Sequence, residues 1–130
     1  MKLPPLSPDE IDRRLPVWTA LSDLFLDTDV TVWAPLIART IADSGFTLAE
    51  AEDMLRWEVR PAFYSNLLSV AGEWMGWSEA AVREQVLETR GRRRIERWLL
   101  GRDRLFPCEE WAAVVAEVER LQAAASPAPA

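Results

Sequence analysis

The stretch Ser7-Pro8-Asp9-Glu10-Ile11-Asp12-Arg13-Arg14-Leu15-Pro16-Val17-Trp18-Thr19-Ala20-Leu21-Ser22-Asp23-Leu24-Phe25 opens with a helix start and continues as an apolar stripe. Ser7 offers a side-chain oxygen to the orphan amides of a first turn. Pro8 suits the first helical position, and Glu10 stands where a capping box needs an acid. Ile11, Leu15, Trp18, Leu21, Leu24 and Phe25 recur at spacings of three and four, which places them on one helix face. Pro16 has no amide hydrogen and is expected to kink or split this helix near Leu15.

The same grammar recurs downstream. A second helix is expected after Asp29 or Thr31, with Leu36, Ile37 and Ile41 inward and Gly45 as its stop. Thr47-Leu48-Ala49-Glu50 is another capping box, followed by Ala51, Met54, Leu55 and Val59 on one face, with Pro61 ending or bending the run. Residues 63–77 are densely apolar, and Val70, Trp74 and Trp77 suit a buried helix or turn. Ser78 can cap a helix carrying Val82, Val86 and Leu87 inward; Ile95, Trp98 and Leu99 resume the stripe beyond Gly91. A last helix is expected over 107–125, with Trp111, Val114, Val115, Val118 and Leu121 on its core face. No alternating run of strand length occurs. The pattern predicts an all-α, compact single-domain bundle of about five to seven helices. Its expected boundaries are an N-terminal arm over 1–6, the helical domain over 7–125 and a flexible Ala/Pro tail over 126–130.

Composition narrows the chemistry. The 130 residues contain no histidine, one lysine (Lys2), one cysteine (Cys108) and seven tryptophans. Histidine is the usual proton carrier near neutral pH, and a serine or cysteine nucleophile needs a base beside it. The common zinc ligands are equally scarce. The sequence therefore predicts a non-enzymatic protein with no catalytic residues, no metal and no cofactor. A single cysteine allows no internal disulfide, which suits a reducing compartment. Met1–Ser7 does not read as a signal peptide, and no apolar run reaches the roughly 18 residues of a membrane span. The expected location is the cytoplasm, away from membranes.

Asp27-Thr28-Asp29-Val30-Thr31 follows the apolar Leu24-Phe25-Leu26 and resembles the first motif of haloacid-dehalogenase-like phosphatases. Asp27 would there be the nucleophile and Asp29 the general acid. That fold needs a strand upstream, where this chain has helical spacing. It also needs a later acidic pair for magnesium. The same residues look like the start of an EF-hand loop, but the position that requires glycine is Val32 and the one that requires glutamate is Ala38. The simpler reading is a helix start with Asp29 or Thr31 as its cap.

Net charge is −6, and residues 1–58 hold eleven acids against five bases. Such a chain is repelled by nucleic acid and anionic membranes unless it carries a basic patch. One exists: residues 90–104 hold seven arginines against Glu96 and Asp103. Arg92, Arg93, Arg94 and Arg97 are the candidate phosphate ligands of this alternative reading, nucleic-acid or phospholigand binding; as a solvated helix face they would simply pair with carboxylates. Trp18, Trp74, Trp98 and Trp111 fall on core stripes. Trp33, Trp57 and Trp77 fit those stripes less well and are the expected surface aromatics. Asp27, Asp29, Trp33, Glu52 and Asp53 are therefore the candidate partner-binding residues, an acidic face with an aromatic anchor. Glu58, Asn66 and Glu73 lie in apolar neighbourhoods and are expected to bond backbone or arginine.

Two strings, Leu21-Ser-Asp-Leu-Phe-Leu-Asp-Thr28 and Asn66-Leu-Leu-Ser-Val-Ala-Gly-Glu-Trp74, together with Arg14-Leu-Pro-Val-Trp18 and Glu58-Val-Arg-Pro61, resemble a family of small bacterial proteins known only as a domain of unknown function. The resemblance spans about 7–77. It implies a mainly helical bacterial domain and carries over no functional residue. Small acidic bacterial proteins of this kind often act as immunity proteins beside a secreted toxin. That analogy makes another protein, such as a toxin, the expected partner.

Overall fold

The computed structural model describes residues 4–26, 29–68, 75–91 and 106–125, and within them every regular element is helical. Helix α1 is Pro8–Ser22, followed directly by a 3-10 turn over Asp23–Phe25. A second 3-10 turn, Thr31–Trp33, leads into α2, Ala34–Ser44. Helix α3, Leu48–Met54, runs through a π turn at Leu55–Val59 into α4, Arg60–Phe63; α5 is Ser65–Leu68. Helix α6 is Glu79–Arg90 and α7 is Cys108–Ala125. The apolar positions at 95, 98 and 99, and those at 70 and 74, lie outside the described residues, as does Glu73.

The starts follow the side-chain chemistry. Ser7 accepts the Glu10 amide at 3.2 Å, and among the described residues only this half of the expected box forms. At α3 both halves form: Thr47 Oγ1 accepts the Glu50 amide at 3.1 Å, and Glu50 Oε1 accepts the Thr47 amide at 2.9 Å. Ser78 accepts the Ala81 amide at 3.2 Å. Gly45 closes α2 in the left-handed region, φ 83°, where a Cβ would be strained.

Neither proline divides its helical run. Helix α1 runs unbroken through Pro16. Asp12 and Pro16 are both exposed, so water can bond the carbonyl that Pro16 cannot reach. Pro61 neither ends nor breaks the second run. The ladder ahead of it widens, with the Arg60 amide bonding the Leu55 carbonyl five residues back, and α4 then continues past the proline.

The core is one cluster. Val17, Trp18 and Leu21 of α1, Phe25 after it, Ile37 and Ile41 of α2, Leu55 and Val59, Val82 and Val86 of α6, and Val114 and Val118 of α7 are all buried. Helix α1 packs on α2, α6 and the π turn, and α2 packs on α7. Leu36 is a correction: it is 59% exposed. The inward face of α2 is Ala34, Ile37, Ala38 and Ile41, at spacings of three and four, and Leu36 falls one step round the helix from Ile37.

Asn66 Nδ2 donates to the Phe25 carbonyl at 2.8 Å, as a polar group among apolar neighbours must. Asp23 is half-buried, and a Cβ built on Gly76, φ 100°, would lie 3.4 Å from its Oδ1. Burial pushes the Asp23 carboxyl above its ordinary value. Folding thus favours the protonated acid. That contribution is complete below the unfolded pKa and disappears as pH rises through the raised folded value.

Asp23→Asn is expected to stabilise the domain at pH 7 and to leave it level with the parent at about pH 3, where both side chains are neutral; urea titrations at the two pH values measure this. Thr47→Ala removes one half of the capping box and should cost about 1 kcal/mol, read from the same titrations.

Candidate functional site

The rod from α3 to α4 carries the polar centre of the molecule. In its π turn Leu55, Arg56, Glu58 and Val59 are buried and Trp57 is exposed. Burial of Glu58 to 4% exposure would be costly without counter-charges. Arg14 Nη1 donates to its Oε1 at 2.7 Å, and Trp18 Nε1 donates to the same oxygen at 3.2 Å. Arg90 Nη1 donates to Oε2, while its Nη2 donates to the Pro4 carbonyl at 2.8 Å. Arg14 and Trp18 are one helical turn apart on α1, and Arg90 is the last residue of α6. One carboxylate therefore joins α1, α6, the π turn and the segment before α1.

Beside this hub Arg60 is fully buried. Its Nε donates to the Arg56 carbonyl at 3.2 Å. The guanidinium carbons of Arg56 and Arg60 lie 4.1 and 5.9 Å from the Phe106 ring centre. Stacking on an aromatic face suits weakly hydrated guanidinium groups.

A cleft of about 260 Å³ opens over the hub. Arg14, Glu58 and Arg90 line it together with the apolar Phe46, Met54 and Trp57 and the exposed acids Glu50 and Asp53. Glu50, Asp53 and Trp57 recur at helical spacing, so the rod presents all three to the same opening. The Thr47 amide and hydroxyl hold the Glu50 carboxyl below its ordinary value.

The candidate partner-binding residues divide between places. Asp27 lies outside the described residues. Asp29 Oδ1 accepts the Thr31 hydroxyl at 2.7 Å and the Thr31 amide at 3.1 Å, so Asp29 fastens the turn that leads to Trp33. These bonds lower its pKa, the hydroxyl most. Trp33 is 42% exposed. Glu52 is engaged elsewhere: its Oε1 accepts Trp111 Nε1 at 2.9 Å, and its Oε2 lies 3.7 Å from Arg56 Nη2. Asp53 is at the cleft. Asp29 thus serves the turn before Trp33, Glu52 ties α3 to Trp111, and Asp53 lines the cleft; among the described residues no hydrogen bond or ion pair joins Asp29 or Trp33 to Glu52 or Asp53.

Arg92, Arg93, Arg94 and Arg97 lie outside the described residues. Arg90, the first arginine of that run, is held at the hub. Trp18 and Trp111 are buried, and Trp77 is half-buried with its ring centre 4.6 Å from that of Phe63. Among the described tryptophans, Trp33 and Trp57 remain exposed.

The hub was half-visible in the sequence. Glu58 in an apolar setting called for arginine, but which arginine is a matter of packing. Arg14 had a usable signal, since it stands four residues before the core residue Trp18 and so edges the buried face. Arg90 had none.

The sequence model of one family, described as Domain of unknown function (DUF7079), matches residues 12–122. The chain belongs to that family. The match covers the helices of the hub from Arg14 to Arg90 and most of α7. No curated protein and no solved structure matches the chain. Among the described residues no helix of this DUF7079 domain is long and apolar enough to cross a membrane.

Glu58→Gln is expected to cost about 3 kcal/mol, because Arg14 and Arg90 keep their charges and lose their counter-ion. Thermal and urea unfolding measure the loss, and Arg120→Ala, which removes an exposed pair with Glu117, is the control with little effect.

Proposed function

We propose that this DUF7079 domain is a non-enzymatic protein-binding module of the bacterial cytoplasm. Most concretely, it is an immunity-type inhibitor that covers the active site of a basic toxin. The observation that carries the reading is the surface around Trp33. Val32 is 67% exposed, Trp33 42% and Leu36 59%, while Ile37 and Ile41 beside them are buried. The three exposed side chains fall within five residues at the turn entering α2. Packing inside the domain does not account for three large apolar side chains in five residues at the surface. Such patches are what partner proteins cover.

Charge supplies the class of partner. Residues 19–55 hold seven carboxylates and one arginine, Arg39. Exposed Asp29 stands at the edge of the Trp33 surface. A basic protein is steered to such a face, and the apolar anchor then slows its departure. The chain without histidine offers no ordinary general base, and Asp29 is bonded to Thr31 within a helical context, which favours binding over phosphatase chemistry.

The test uses the purified product of a toxin-like gene adjacent to this one, with binding kinetics at two salt concentrations. Charge reversal at Asp27, Asp29 and Asp53 should slow association, most at low salt; Glu52 is left intact because it holds Trp111. Trp33→Ala should speed dissociation by a factor equivalent to about 2 kcal/mol while the far-ultraviolet dichroism is unchanged. Absence of binding, or kinetics that neither change alters, overturns the reading.

A further inference from the structure

The cleft over Glu58 does not include Trp33 in its lining and has its own chemistry. Arg14 is fixed by its bond to Glu58, and among the described residues its remaining N–H groups make no hydrogen bond. Arg90 is fixed more fully, by Glu58 and the Pro4 carbonyl. Asp53, which lines the same cleft, makes no hydrogen bond or ion pair among the described residues, and the Oε2 of Glu50 takes no part in the capping box. Met54, Phe46 and Trp57 supply apolar wall.

We infer that this cleft binds a small zwitterion of the free apolar α-amino-acid class. The carboxylate meets Arg14, the ammonium meets Asp53 and Glu50, and the side chain lies on Met54 and Trp57. Charge decides against simpler ligands. A phosphate or other lone anion that reaches Arg14 also meets the exposed carboxylates of Glu50 and Asp53. A lone cation that reaches Asp53 leaves the outward N–H groups of Arg14 without an acceptor. A ligand with both charges a few ångströms apart satisfies both sides. Arg14 is held rigid by a buried partner, so its donors are ordered before the ligand arrives, which lowers the entropic cost of binding. The volume of about 260 Å³ suits one amino acid and falls just below the ~300–1,000 Å³ of sites for larger ligands. This inference does not rest on the toxin-inhibitor reading; either can fail without the other.

The experiment titrates the full chain with L-leucine, L-methionine and L-phenylalanine, following heat by calorimetry and indole emission by fluorescence. At least one should bind saturably with a Kd below about 10 mM. The methyl ester of that amino acid has no carboxylate and its N-acetyl derivative has no ammonium; each should bind at least about tenfold more weakly. Asp53→Asn should weaken binding at least about fivefold with unchanged helicity, since Asp53 is exposed and holds nothing in the fold. Arg14 is not the residue to vary, because its loss also strips Glu58. No saturable binding of any of the three, equal binding of the ester or the acetyl derivative, or an indifferent Asp53→Asn variant each overturns the inference.

Discussion

The buried carboxylate of Glu58 is the constraint around which the rest of the domain is arranged. An unpaired charge at that depth would destabilise the fold by several kcal/mol. Every element that approaches it therefore has to bring a donor. Helix α1 brings Arg14 and the Trp18 indole, and α6 ends on Arg90, which also holds the Pro4 carbonyl. Apolar packing is tolerant of small slides between helices. A carboxylate with three fixed donors is not, because each hydrogen bond fails within a few tenths of an ångström. The hub thus sets the position of α1 and α6 relative to the rod more tightly than the core around it.

The π turn makes this geometry possible. Pro61 cannot donate to the carbonyl four residues back, and the ladder ahead of it widens by one residue instead of breaking. The widened turn buries four of its five residues, two of them charged, and leaves Trp57 facing out. Arg56 and Arg60 are buried against Phe106, so the rod also reaches the segment that leads into α7. A local backbone irregularity and the polar centre of the domain have the same cause.

Outside this centre the surface carries two unlike features. The turn into α2 exposes Val32, Trp33 and Leu36, an apolar patch in an acidic half of the chain, and the cleft mixes both charges with an exposed indole. The ligands proposed for them differ in kind: a large, complementary and weakly polar protein surface for the first, a small doubly charged molecule for the second.

The sequence by itself determined the helical class and most of the element starts. Thr47, Ser78 and Gly45 act on amides and carbonyls within a few residues, so their effect does not wait for the fold. It also determined which side chains could be core, because the three-and-four spacing that buries Trp18, Val86 and Val118 is a property of one helix alone. Local rules left open what Pro16 and Pro61 would do, since whether a proline breaks a helix depends on whether water or a wider turn can serve the freed carbonyl. They misjudged Leu36 because it stands about 100° round the helix from Ile37, at the border of the apolar face, and only packing decides which border residue is covered. Only the tertiary structure decided the partners of Glu58, which stand 44 and 32 residues away in sequence. It alone set Glu52 against Trp111 and divided the acids of the expected binding face between Trp33 and the cleft. Those pairings depend on which helix faces meet, and no periodicity within a single helix encodes that.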